Sequence, residues 1–381
     1  MNLETFSYEP SKGWSLRAFP RLDSEHTLVV VFGAARFMDD PTALRELLAA
    51  YPSSRSIGCS TSGEIHGTVL SDDSLSVAVA RFERSELDSA VVAIENSAGS
   101  FEAGRELAGR LVRSDLRALF LVSDGLNVNG SELVRGLNTV VPEAVVVTGG
   151  LAGDGDRFQR TWVLERGEPR SGRVSAVGLY GEHVRVGHGS KGGWDKFGPA
   201  RRITRAHKNV LHELDGRPAL GLYKEYLGER AKDLPASALL FPLALSTRPG
   251  DPKVLVRTVL SVDEKSQSMT FAGDMPEGSL AQLMRANFER LIEGASTAAK
   301  HTLSPGQLLG TSDVLSIAVS CVGRRLILGE RTEEEIEAAL KELPRGTRQV
   351  GFYSYGEISP FATGGCDLHN QTMTLTTITE T

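Results

Sequence analysis

One local pattern recurs three times in this 381-residue chain: an apolar strand, an amphipathic helix, a short apolar strand and a glycine turn. The first strands of the three units are residues 28–32, 118–122 and 314–321. In each unit about thirty residues separate the first strand from the turn, which is the length of a β-α-β crossover. Continuous Val, Ile and Leu runs indicate strands buried on both faces, so we expect each crossover pair to be parallel.

A further strand follows each turn, so the repeated unit is β-α-β-β. Residues 75–82 place Leu75, Val77 and Val79 at every second position, a period of two that is typical of a half-exposed antiparallel strand. In the third unit, Thr332 and Glu335 have the spacing of a capping box at a helix start. The sequence therefore predicts an α/β protein with mixed β-sheets, flanking helices and two pseudo-equivalent halves.

The region between the second and third units has a different pattern. A glycine-rich stretch at residues 187–194 is followed by the turn Asp215-Gly216, so we place a domain boundary at residue 218. Residues 280–301 have the pattern of one long helix.

Composition excludes several classes of protein. The net charge is −6 and the basic residues are scattered, which argues against nucleic-acid binding. Neither a run of 18 apolar residues nor a secretory signal is present, so no membrane span is expected. The three cysteines are widely spaced and odd in number, which fits reduced thiols in a cytoplasmic protein.

Two of the glycine turns share a Gly-Glu-Ile sequence, GCSTSGEI at residues 58–65 and GFYSYGEI at residues 351–358. Ligands of α/β proteins usually bind at the carboxyl ends of parallel strands. We therefore expect Glu64 and Glu357 to face one crevice between the halves, where they would favour a cationic or amine-bearing ligand. The alternative is that both glutamates only cap local amides. Hydroxyl groups for the same site would come from Ser60, Thr61, Ser354 and Tyr355.

The glycine turn of the second unit, GGLAGDG at residues 149–155, does not have the spacing of a phosphate-binding loop. The next segment is a strand, so no helix N-terminus lies behind the turn to bind an anion. We predict a flexible turn that lines a cleft with the backbone of Gly149, Gly150 and Gly153.

A hydrolase that uses Ser60 or Cys59 stays an alternative. The segment around Ser60 lacks the last glycine of the G-x-S-x-G elbow, and a strand rather than a helix follows. Cys59 is more typical of a small buried side chain than of a thiolate.

Metal or haem binding would depend on isolated histidines. H-x-x-x-H, C-x-x-C and H-E-x-x-H do not occur, so a zinc site is not expected. A single histidine can be an axial haem ligand, and His188 and His369 have the most unusual surroundings. Trp194 and Asn370, near them in sequence, complete the predicted ligand-binding residues.

The chain resembles the FIST family from about residue 27 to its C-terminus. The resemblance depends on the order and spacing of IGCSTSGEI, VVTGGLAGDG, GHGSKGGW, NVLHELDGRPALGLYKEYLG, SCVGRR, GFYSYGEISP and CDLHNQTMTL. It implies an N-terminal FIST domain at residues 25–217 and a C-terminal FIST domain at 218–381.

The resemblance also implies a function, that of a sensory input module for small ligands, amino acids among them, in bacterial signal transduction. No output domain is recognisable, so we expect a non-enzymatic sensor that acts through a separate protein such as a histidine kinase. Some members of the family are haem proteins that sense nitric oxide, which is the alternative for this chain.

Overall fold

The computed structural model describes residues 1–234, 236–251, 253–303, 313–360 and 365–381. Its α-helices are α1 (Thr42–Ala49), α2 (Ser100–Leu111), α3 (Gly130–Asn138), α4 (Ala219–Leu227), α5 (Phe288–His301), α6 (Val322–Leu328) and α7 (Thr332–Glu342). Its first fourteen strands are β1 (Asn2–Glu9), β2 (Gly13–Trp14), β3 (Thr27–Ala34), β4 (Arg55–Thr61), β5 (Glu64–His66), β6 (Val69–Ser71), β7 (Leu75–Arg81), β8 (Glu86–Ala93), β9 (Leu116–Ser123), β10 (Val146–Leu151), β11 (Val163–Glu165), β12 (Glu168–Arg170), β13 (Arg173–Tyr180) and β14 (Val184–Lys191). The later strands are β15 (Asp195–Lys196), β16 (Arg201–His207), β17 (Val210–Leu214), β18 (Arg217–Pro218), β19 (Leu243–Ser246), β20 (Leu255–Arg257), β21 (Val259–Asp263), β22 (Ser268–Phe271), β23 (Leu280–Arg285), β24 (Leu315–Cys321), β25 (Arg348–Ser354), β26 (Gly356–Pro360), β27 (Cys366–His369) and β28 (Met373–Glu380).

Three sheets share one core, in which a parallel pair of strands is followed by an antiparallel strand. Sheet I has the order β12-β11-β4-β3-β7-β1-β2, sheet II β27-β26-β10-β9-β13-β8 and sheet III β14-β28-β24-β25-β5-β6. The parallel pairs are β3 with β4, β9 with β10 and β24 with β25, each joined by a helical crossover. The predicted α/β class and its three repeated β-α-β-β units are therefore confirmed.

The strand that follows each turn leaves its own sheet and joins the next one. Strand β5 pairs with β25 of sheet III, β26 pairs with β10 of sheet II, and β11 pairs with β4 of sheet I. The exchange is cyclic and gives the three sheets an approximate threefold arrangement. The turns themselves are joined by backbone hydrogen bonds: Ser62 N to Tyr353 O (2.8 Å), Tyr355 N to Leu151 O (3.2 Å) and Gly153 N to Ser60 O (3.0 Å).

Apolar side chains from all three sheets form a shared core. Phe32 of β3 lies 6.4 Å from Phe120 of β9 and 4.6 Å from Phe352 of β25, measured between ring centroids. All three rings are buried, so one hydrophobic core holds the sheets together.

A fourth sheet, sheet IV, belongs to the half of the chain after the second unit. Its strands have the order β20-β19-β23-β16-β17-β22-β21, with β15 on β23 and β18 on β17. Helix α4 buries Leu220 and Tyr223 against Leu243 and Phe271 of this sheet. Among the described residues, no helix is long and apolar enough to cross a membrane.

The single long helix predicted for residues 280–301 is wrong. Residues Leu280–Arg285 form strand β23 in the middle of sheet IV, with Ala281 and Leu283 in its core. Helix α5 begins only after Asn287, whose side chain accepts a hydrogen bond from Arg290 N. The apolar residues of β23 suit both a helix and a strand, and pairing with its neighbours decides between them.

Residues 187–191 of the glycine-rich stretch lie in strand β14, which pairs with β28 along its whole length. Its glycines allow α5 to lie directly on the strand. A Cβ atom at Gly187 would lie 2.2 Å from Thr302 O, and one at Gly189 would lie 2.0 Å from Ala298 O. These glycines therefore provide close packing rather than a flexible loop.

Candidate functional site

The carboxylate of Glu64 joins the end of β4 to the start of β7. Its Oε1 accepts a hydrogen bond from the Thr61 hydroxyl, and its Oε2 accepts from Ser74 N (3.0 Å) and Ser74 Oγ (2.8 Å). Burial raises the pKa of Glu64 to about 7, although these hydrogen bonds oppose the shift.

Glu357 repeats this arrangement in the third unit. It accepts hydrogen bonds from Ser354 Oγ (2.7 Å), Thr372 Oγ1 (2.9 Å) and Thr372 N (3.2 Å). Burial raises the pKa of Glu357 to about 8. Both glutamates therefore accept hydrogen bonds from nearby backbone amides, which is the alternative that the sequence analysis considered.

The two glutamates do not face one crevice. Glu64 lines a cleft of about 520 Å³, whereas Glu357 is fully buried and is not among the described residues that line it. The cyclic exchange is the reason, because it sends β5 and β26 to different sheets. The expectation of a shared carboxylate pair is therefore wrong.

The turn of the second unit has its own acid at the equivalent position. Asp154 follows Gly153, as Glu64 follows Gly63, and its Oδ2 accepts hydrogen bonds from Gln159 N and Arg160 N, both at 3.0 Å. Its Oδ1 accepts from the hydroxyl of Tyr355. Sequence reasoning missed this acid because the second turn lacks the Gly-Glu-Ile signature.

The 520 Å³ cavity, which we call the domain cleft, lies between residues from before and after residue 218. It opens at the carboxyl ends of the parallel strands β3 and β4, where α/β sheets bind ligands. The N-terminal side contributes Ala34, Thr61, Ser62, Gly63, Glu64, Leu70, Asp72, Asp73, Gly155, Asp156 and Arg157, and the C-terminal side contributes Val322, Arg325, Leu326 and Gly329.

One ion pair crosses the domain cleft. Arg325 of α6 donates to Asp72 Oδ1 (2.8 Å) and Oδ2 (2.6 Å), and also to Ser62 O (2.5 Å). Although burial opposes its charge, the Asp72 carboxylate raises the pKa of Arg325. Among the described lining residues there are four carboxylates and two guanidinium groups, so with all of them ionised these residues carry a net charge of −2.

Helix α6 is held in place by the neighbouring arginine. Arg324 and Glu335 are both 0% exposed and form an ion pair at 2.6 Å, and Tyr353 OH donates to the same carboxylate at 2.6 Å.

The capping box predicted at Thr332 is wrong, because the Glu335 side chain extends into the core instead of returning to the helix start. The Thr332 hydroxyl donates to Gly329 O.

Three other residues predicted to bind the ligand, Ser60, Trp194 and Asn370, are buried and do not line the domain cleft. Ser60 Oγ accepts from Trp162 N at 3.0 Å, and Trp194 Nε1 donates to Gln371 O at 2.8 Å. The amide atoms of Asn370 are buried without a hydrogen-bond partner in the described chain.

The predicted glycine turn also differs from the structure. Gly149 and Gly150 lie within strand β10, where a Cβ atom at Gly149 would be 1.8 Å from Leu121 O. They are core strand residues, not a flexible turn. Gly153 does lie at a turn, packed against Ser62.

The histidines and thiols considered for chemistry lie outside the domain cleft. His188 is on β14, and burial and His301 lower its pKa. His369 is buried on β27 with Nε2 2.9 Å from Ser359 O, and burial lowers its pKa to about 4. Burial raises the pKa of the Cys59 thiol. In the described part of the chain, no group of three His, Cys, Asp or Glu side chains could hold a metal ion.

Comparison with known proteins matches two family models to the chain. The FIST N domain matches residues 27–217, and the FIST C domain matches residues 219–360. A search of curated proteins finds no match. Among solved structures, a cyanuric acid hydrolase from A. caulinodans aligns with 93% of this chain and 89% of its own, at 9% identity and a TM-score of 0.33. That similarity is too distant to bear on function.

Proposed function

Because this chain belongs to the FIST family, whose domains generally serve as sensory domains in signal transduction, we propose that it is a non-enzymatic sensor with its ligand in the domain cleft. The observation that supports this proposal most directly is the position of the cleft. Residues of the FIST N domain and of helix α6 in the FIST C domain line it together. A ligand that contacts both domains can bind one arrangement of them more tightly than another, and this difference in affinity shifts the equilibrium that a sensor needs.

The charges of the cleft favour a ligand with an ammonium group. Asp73 and Asp156 are exposed at its wall. Asp73 has only a long, exposed ion pair with Arg36 (3.9 Å) among its described contacts, while Asp72 is paired with Arg325 at 2.6 Å. Arg157 lies on the same wall and suits a carboxylate. A free amino acid carries both groups, so we propose an amino acid or a related small amine as the ligand.

The Arg325–Asp72 ion pair would convert ligand binding into a change in the position of α6. A ligand ammonium group near Asp72 would compete with the Arg325 guanidinium for this carboxylate and so move α6 relative to β6. We expect a separate signalling protein in the cytoplasm, such as a histidine kinase, to detect this change.

The experiment is a thermal-shift screen with the common amino acids and their decarboxylated amines, followed by calorimetry on the hits. A ligand at about 100 times its Kd adds about 2.7 kcal/mol of stability, which such a screen detects. Asp73→Asn is the test variant, because asparagine keeps the shape and tolerates the left-handed backbone of Asp73 (φ 58°).

The matched control is Asp233→Asn, an exposed aspartate outside the cleft. We expect Asp73→Asn to weaken binding at least tenfold and Asp233→Asn to leave it unchanged. Equal affinity of both variants would show that the domain cleft is not the site, and a screen without any hit would reject the proposed ligand class.

A further inference from the structure

A second cavity lies between helix α3 of the FIST N domain and sheet IV. It has a volume of about 380 Å³, and we call it the α3 cavity. None of its described lining residues lines the domain cleft. The apolar part of its wall consists of Val134, Leu245, Leu255, Pro276 and Leu368.

A buried arginine at the end of β20 lines the α3 cavity. Arg257 is 4% exposed, and its Nη1 donates to Leu368 O at 2.9 Å while its Nε donates to Asp274 O at 3.2 Å. Gly273 makes room for it, because a Cβ atom there would lie 2.8 Å from Arg257 Nε. The chain thus builds a specific position for this guanidinium group.

The charge of Arg257 has no direct counter-ion in the described chain. No carboxylate of the described residues forms an ion pair within 4.0 Å of it, and its described hydrogen bonds all go to carbonyl oxygens. Burial lowers its pKa to about 10, with Asp274 and Asp367 opposing the shift from a distance. A buried cation without a paired anion is costly, and such a group at the wall of a cavity is a candidate for anion binding.

The other charged groups of the α3 cavity already have partners. Lys253 pairs with Asp367 at 2.6 Å, and Arg135 pairs with Glu132 on α3. Asp274 accepts a hydrogen bond from Asn129 Nδ2 at 3.1 Å. Among the described residues, Arg257 is therefore the group best placed to receive an anion from the cavity.

We propose that the α3 cavity is a second ligand site, which binds a small carboxylate with an apolar body. The planar guanidinium group of Arg257 matches a carboxylate, and its Nη2 makes no hydrogen bond among the described contacts. The apolar wall would enclose a body the size of a phenyl ring or a short alkyl chain, since such pockets are mostly apolar with a few polar anchors.

The test uses the full chain, with 3-phenylpropanoate as the probe and 3-phenylpropanamide as its neutral match. Calorimetry should show saturable binding of the carboxylate. The amide should bind about tenfold more weakly or worse, because it lacks the hydrogen bond between two charged groups. The variant Arg257→Met should abolish carboxylate binding. Leu255→Trp, which fills the cavity from its half-buried wall, provides a second test should Arg257→Met fail to fold.

Two further results separate this site from the domain cleft. Asp73→Asn should leave 3-phenylpropanoate binding unchanged, because Asp73 does not line the α3 cavity. Equal affinity for the acid and the amide, unchanged binding in a folded Arg257→Met or Leu255→Trp protein, or no saturable binding to the wild-type chain would each overturn the proposal.

Discussion

Replacing Arg324 by methionine should destabilise this protein more than any other single change to an ion pair described above. Arg324 donates to Glu335 Oε2 from Nε (3.0 Å) and from Nη2 (2.6 Å), and Nη2 also donates to Leu291 O (2.7 Å). Methionine fills much of the volume but leaves the Glu335 carboxylate buried, and within the described part of the chain its remaining donors are the hydroxyl groups of Ser320 and Tyr353.

The size of this loss of stability follows from the burial of Arg324 and Glu335, which are both 0% exposed. Removal of one member of a buried ion pair costs about 3–5 kcal/mol, because the remaining charge has lost its counter-ion. The double variant Arg324→Met/Glu335→Leu should recover part of this loss, since it removes both charges. The double variant should therefore lose much less stability than the sum of the two single losses, which is a coupling energy of large magnitude between the two sites.

Urea denaturation followed by tryptophan fluorescence measures these free energies of unfolding. The matched control is Arg331→Met, because Arg331 also forms ion pairs with glutamate, in its case Glu289 and Glu334, but at the surface. The control should shift the midpoint far less, since exposed ion pairs contribute little. If Arg324→Met lost less than about 1 kcal/mol, or no more than Arg331→Met, the reasoning would be refuted.

Two further predictions concern the turn glutamates and the glycines of β14. Because burial raises the pKa values of Glu64 to about 7 and Glu357 to about 8, the native state binds more protons than the unfolded state above about pH 4.5. The contribution of these two glutamates to the free energy of unfolding should thus fall as pH rises from about 5 to about 8, whereas the lowered pKa values of His188 and His369 act in the opposite direction. The test is therefore the difference in free energy of unfolding between the wild type and Glu357→Gln, measured by urea titration at each pH. This difference should fall as pH rises, and a difference that stays constant would contradict the assignment. Gly189→Ala should lower stability by about 1–3 kcal/mol, because its Cβ atom would collide with Ala298 O, whereas Gly109→Ala on the open surface of α2 should raise stability slightly; equal thermal midpoints would contradict this packing argument.

The repeated units could be predicted from sequence because their signals are local. Buried strands such as residues 118–122 are continuous apolar runs, and the turns before Glu64 and Glu357 carry glycine. Long-range pairing leaves no such signal. Nothing near residue 64 indicates that β5 pairs with β25 at Phe352 rather than with its own sheet.

The site was predicted less completely than the fold, for a related reason. Thr61 and Glu64 line the domain cleft, but Asp72, Asp73 and Arg325 look like ordinary surface charges in the sequence. Only the fold brings α6 to the carboxyl end of β4. The motif SCVGRR contains both Arg324 and Arg325, and their different roles follow from the rotation of about 100° between successive side chains of a helix.

The exchange of strands among sheets I, II and III imposes an order on biosynthesis. Strand β5 leaves the ribosome about 290 residues before its partner β25, an interval of about 15–60 s at about 5–20 residues per second. Strand β14 is likewise synthesised well before its partner β28. The nascent chain therefore carries unpaired strand edges until its last segment is made, and such edges recruit other chains. Chaperone binding during this interval would cover these edges until their partner strands are made.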